Sequence, residues 1–76
     1  MGGLEFKAVP EEYTAGYYIV TATVLNIRKG AGTEYEKNGS LAKGKKIKII
    51  KTYGNWGKIS EGKWVSLRYC EKVQVI

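Results

Sequence analysis

The side chains that carry most enzyme chemistry are scarce in these 76 residues: there is no histidine, no aspartate, and one cysteine, Cys70. Neither a Ser-His nor a Cys-His nucleophile can be assembled from that set, and a zinc site of the Cys/His kind lacks its ligands. Glu34 and Glu36 are the one paired-carboxylate candidate, since alternate residues of an extended segment share a face. Beside Arg28 and Lys37 they read more simply as solvated or ion-paired. The sequence therefore predicts a chain that binds and does not react, with no catalytic residue, metal or cofactor.

Binding chemistry concentrates in Leu25–Tyr35. Leu25 and Ile27 alternate with Asn26 and Arg28, so the polar pair points away from the core of a strand. Gly30 and Gly32 then bracket a turn in which the backbone is expected to take φ > 0. Thr33, Glu34 and Tyr35 follow and are expected to resume the alternation, in a loop that a rigid strand positions for recognition. Tyr53 and Trp56 flank a second turn at Gly54-Asn55. The expected site is a groove between these two turns, lined by Asn26, Arg28, Thr33, Glu34, Tyr35, Tyr53 and Trp56. For Asn26 and Arg28 the plainer role is bracing the loop through hydrogen bonds to its backbone. The glycines do not form a phosphate loop, because Gly30-Ala31-Gly32-Thr33 lacks the Gly-Lys-Ser/Thr ending and no helix follows.

The formal net charge is +6, with a pI near 9.5, which favours anionic partners. Between Lys37 and Lys63 lie eight lysines against one acid, Glu61. The plain reading is a solvated face with strand edges guarded against pairing. The functional reading is attraction to a polyanion, with Lys46 and Lys48 steering it from one strand face.

These residues must be positioned by a small all-β domain. Ten glycines punctuate the chain, and no helix-length stretch shows apolar spacing at i, i+3, i+4, i+7. Short strands are expected over Tyr17–Arg28, around Ser40-Leu41-Ala42, over Lys45–Tyr53, Trp56–Ser60 and Trp64–Leu67, and at Val73–Ile76. Tyr18, Val20 and Ala22 share a parity that Leu25 and Ile27 do not, so the first strand must contain a bulge or kink near Thr23-Val24. The expected core is Val20, Ala22, Leu25, Ile27, Leu41, Ile47, Ile49, Ile59, Val65 and Cys70. Leu4–Ala8 also alternates and is expected to be an added edge strand able to support self-association, with a linker as the bland alternative. No run is long and apolar enough to span a membrane.

The ordered motifs also resemble a family. Val20-Thr21-Ala22, Leu25-Asn26-Ile27-Arg28 and then Gly-x-Gly-Thr-x-Tyr look like the opening of the bacterial SH3-type (SH3b) domain. Gly39-Ser40-Leu41-Ala42-Lys43-Gly44, Trp56-Gly57-Lys58-Ile59 and Gly62-Lys63-Trp64-Val65-Ser66-Leu67-Arg68-Tyr69 are similar to its later strands. The resemblance covers about Tyr18 to Lys72 in the family's order. It implies an SH3-like barrel of five to six antiparallel strands over residues 17–76, preceded by an extension or linker over 1–16. It places a short 3₁₀ turn at Arg68-Tyr69-Cys70, with Cys70 where the family usually has an aliphatic residue. It puts Trp56 and Trp64 at partly buried positions, and Tyr69 reads as structural. The implied function is a non-catalytic cell-wall-binding module. It would target a hydrolase, endolysin or surface protein to peptidoglycan or associated wall polymers. Its place would be extracellular, reached through a parent's export signal or by phage lysis. A nucleic-acid-binding barrel using the lysine face ranks second.

Overall fold

The computed structural model describes residues 13–73. The alternation around Tyr18 and Val20 becomes β1 (Gly16–Val20), and that around Leu25 and Ile27 becomes β2 (Val24–Arg28). The parity change between them marks a change of sheet. The remaining strands are β3 (Lys37–Ala42), β4 (Lys46–Ile49), β5 (Lys51–Tyr53), β6 (Trp56–Ser60), β7 (Lys63–Ser66) and β8 (Cys70–Lys72). β1 lies in a three-stranded antiparallel sheet, β4-β1-β8, and β2 in a five-stranded one, β3-β2-β7-β6-β5. A bulge or kink near Thr23-Val24 is thus replaced by a full break at Thr21–Thr23. Thr21 N–H and Oγ1 both donate to the Tyr69 carbonyl at 2.9 Å, holding that crossing point to the 3₁₀ turn Leu67–Tyr69.

The run Lys45–Tyr53 divides for the same reason. Ile47 and Ile49 are buried from β4, Ile50 turns outward, and its N–H donates to the Lys58 carbonyl at 2.9 Å as the chain passes into the second sheet. The strand therefore bends at a corner between sheets, which is where the alternation fails. The final strand is Cys70–Lys72, earlier than the expected Val73–Ile76. Val73 still donates to the Tyr17 carbonyl at 2.9 Å, and residues 74–76 fall outside the described span. The expected strand at Leu4–Ala8 lies outside it too.

Both sheets bury their inner faces in one cluster: Tyr18, Val20, Leu25, Ile27, Ile47, Ile49, Val65 and Leu67. Leu41, Ile59 and Cys70 pack half-buried around it, while Ala22 is half-buried in the break between β1 and β2. Tyr18 and Leu67 are core residues absent from the expected set. Tyr18 is 2% exposed yet loses no hydrogen bond, because its hydroxyl donates to the Thr14 carbonyl at 2.7 Å. Leu67 enters from the 3₁₀ turn and contributes about 1.5–3 kcal/mol if fully withdrawn from water. Gly57 lies beneath it: a Cβ there would stand 2.9 Å from Leu67 Cδ2 and 3.0 Å from two Ile49 carbons. The chain is tied down before β1 as well, since Tyr13 packs on the core and its carbonyl accepts from Thr52 Oγ1 at 3.3 Å.

Candidate functional site

The loop after β2 is held from inside. Lys29 N–H donates to the Glu36 carbonyl at 3.0 Å, and the two side chains pair at 3.3 Å on the surface. Arg28 Nη1 donates to the carbonyls of Thr33 (3.2 Å) and Tyr35 (3.0 Å), so the guanidinium braces the loop. The glycines serve this geometry differently from expectation. Among the described residues the glycines with positive φ are Gly16, Gly44, Gly54 and Gly62, so Gly30 and Gly32 are not among them. Gly30 serves close approach instead: a Cβ there would sit 2.6 Å from Tyr35 Cδ1, whereas one on Gly32 would meet only the movable end of the exposed Glu34 side chain. Thr33–Tyr35 form turns rather than a resumed strand, so Glu34 and Glu36 share no strand face.

Beside this loop runs an open groove of about 530 Å³. Asn26, Arg28, Val24 and Leu25 line it from β2, Thr33 from the loop, and Asn55 and Trp56 from the turn into β6. Ser66 comes from β7, which lies between β2 and β6 and pairs it with Trp56, and Arg68, Tyr69 and Ala22 complete the lining. The structure thus brings together Asn26, Arg28, Thr33 and Trp56 of the expected set. Glu34, Tyr35 and Tyr53 are not in the lining. Glu34 curls back over Gly32, Tyr35 covers Gly30 with 46% of its surface exposed, and Tyr53 is 70% exposed on its turn.

Asn55, Arg68 and Tyr69 are what sequence reasoning missed, and Tyr69 is 54% exposed where a structural role was expected. For the last two the signal existed. In a 3₁₀ turn only every third side chain shares a face, so a buried Leu67 sends its two successors outward. The charge of the lining is one-sided: Arg28 and Arg68 contribute to it, and no carboxylate does.

Lys46 and Lys48 belong to the other sheet. Their ammonium groups lie 5.1 and 5.8 Å from the ring centre of Tyr17, which pairs with Lys48 across β1 and β4. That spacing is in the cation–π range. Lys58 is engaged separately, bonded to Glu61 at 2.8 Å and 5.9 Å from the Trp64 ring, and it holds the Glu61 carboxyl below its ordinary range. Cys70 is not poised for chemistry: burial pushes its thiol up to about 11, and Sγ points at the Ser66 carbonyl, 3.8 Å away. Among the described residues no group of three His, Cys, Asp or Glu could hold a metal, and no helix is long and apolar enough to cross a membrane.

The family described as bacterial SH3 domain matches residues 23–71, which takes in the groove-bearing sheet and the 3₁₀ turn. The chain belongs to the bacterial SH3 domain family. This bacterial SH3 domain is also similar to bacteriocin BCN5 of Clostridium perfringens, at 39% identity over 61 residues. That alignment covers 80% of the chain and 7% of the relative, so the chain spans a small part of the bacteriocin's length. No solved structure matches significantly. Within the domain, β1 precedes the matched span, while the loop, both turns and the whole groove except Ala22 fall inside it.

Proposed function

We propose that this bacterial SH3 domain is a cell-wall-binding module that holds a parent hydrolase or surface protein against peptidoglycan, outside the cell. The observation that carries the reading is the groove itself. It is preformed on β2 and β6, walled by Trp56 and Tyr69, and edged by the hydrogen-bonding groups of Asn26, Asn55 and Thr33. Such a surface offers aromatic faces for apolar contact and a few fixed polar groups for orientation, the usual makeup of a ligand site. Family membership and the bacteriocin relative support the setting, since domains of this family are typically non-catalytic binding modules. Binding by such a module raises the local concentration of whatever is tethered to it.

The test is retention on purified sacculi. A fluorescent fusion of the chain should sediment with sacculi and release no soluble muropeptides, and Trp56→Ala should weaken retention while the protein stays folded. No retention on sacculi, with or without accessory polymers, rejects the reading. A second reading has its own observation: the Tyr17, Lys46 and Lys48 cluster offers an aromatic and cationic face to a nucleic acid. It requires affinity for single-stranded nucleic acid that falls steeply with salt, by about 0.7 log units per phosphate contact.

A further inference from the structure

We infer that the groove recognises a peptide through a free carboxylate, gripped between Arg28 and Arg68, so that amidation of the wall peptide weakens binding. The inference rests on the reading of the groove as the wall-binding site and names the chemistry it selects.

The groove's charge balance carries the argument. Arg28 and Arg68 stand in its lining, and no carboxylate does. Glu36 pairs with Lys29 and Glu61 is bonded to Lys58, while Glu34 lies over Gly32, outside the lining. Arg28 is also held in place, because Nη1 is fixed by the Thr33 and Tyr35 carbonyls. Its other guanidinium donors, and all of those of Arg68, make no hydrogen bond among the described residues. A guanidinium presents parallel donors that match the planar fork of a carboxylate, and such charge-assisted pairs are stronger than neutral ones. The rest of the lining is suited to peptide. Asn26 and Asn55 offer amides that complement a peptide backbone, and Trp56 and Tyr69 offer flat apolar walls. The diffuse positive charge around Tyr17 lies on the other sheet, so groove selectivity and general attraction to anions can be separated by mutation.

The probes are the pentapeptide L-Ala-γ-D-Glu-L-Lys-D-Ala-D-Ala and the same peptide with both carboxyls converted to carboxamides. Binding is followed by Trp fluorescence and amide chemical shifts on the full chain. The free acid should bind about tenfold tighter than the amidated form, as expected for one charge-assisted pair. Arg68→Gln, an exposed position where folding should be unaffected, should shrink the ratio of the two affinities, Arg28 alone keeping part of it. Lys46→Glu with Lys48→Glu should leave their ratio unchanged. Equal affinities in the native protein overturn the carboxylate assignment while leaving the groove as the site. A ratio undiminished in Arg68→Gln removes Arg68 from the grip and overturns the assignment, and one that collapses in the lysine variant overturns it in favour of diffuse charge. If neither peptide binds although sacculi retain the protein, the groove reads something other than peptide carboxylate. If sacculi do not retain it either, the wall-binding reading itself is lost.

Discussion

Replacing Gly30 with alanine should damage the domain through one contact, and the size of the damage follows from the geometry. The new Cβ would stand 2.6 Å from Tyr35 Cδ1 and 2.7 Å from Cγ and Cε1. Carbon atoms in good contact stand about 3.5–4.0 Å apart, so the ring must retreat by about 1 Å. Overfilling a packed site costs about 1–3 kcal/mol. An upper bound comes from driving the ring into water: a tyrosine buries about 150–250 Å² when covered, and this one is already 46% exposed. Losing the remaining half, about 100 Å², costs about 2.5 kcal/mol at ~25 cal/mol per Å². A destabilisation of about 1–2.5 kcal/mol is therefore expected in urea unfolding. A double-mutant cycle assigns it. In a Tyr35→Ala background the ring is gone, and Gly30→Ala should cost less by about 1 kcal/mol or more. If alanine costs the same in both backgrounds, the glycine is required by its backbone and the close-approach argument fails.

Gly57→Ala should destabilise by about 1–3 kcal/mol, because the methyl group meets Leu67 and Ile49 at 2.9–3.0 Å inside the core; an unchanged urea midpoint would contradict this. Lys46→Glu with Lys48→Glu should slow association with sacculi and flatten its salt dependence while leaving the dissociation rate nearly unchanged, as stopped-flow measurements at several salt concentrations can check. Cys70, raised from 9.0 to about 11 by burial, should react with iodoacetamide at neutral pH about a hundredfold more slowly in the folded chain than in urea. Between those values the unfolded chain sheds a proton that the folded chain keeps, so stability should fall as pH rises through that window, and Cys70→Val should reduce the fall.

Much of the fold was legible because alternation is a direct record of which face of a strand is buried. Ile47 and Ile49 inside with Lys46 and Lys48 outside needed nothing more. The parity change near Thr23 was visible too. Whether it meant a bulge or a transfer between sheets depended on partners distant in sequence, such as Tyr69 for Thr21. Gly30 is ambiguous in the sequence because glycine has two uses, positive φ and the absence of a Cβ, and they look identical there. The groove was half legible for a related reason. Asn26 and Arg28 follow from strand parity and Trp56 from its turn, whereas Tyr53 and Tyr35 are aromatic residues at turns whose direction is set by tertiary contacts. Arg68 and Tyr69 reach the groove only because Leu67 is anchored inward, with its N–H bonded to the Asn55 carbonyl at 2.7 Å.

Chemical-shift mapping with solubilised muropeptides tests the central claim, that this domain reads the wall through its groove. The account predicts that the largest amide shifts fall on Asn26, Arg28, Asn55, Trp56, Arg68 and Tyr69. Shifts concentrated instead on Tyr17, Lys46 and Lys48, with the groove silent, would contradict it.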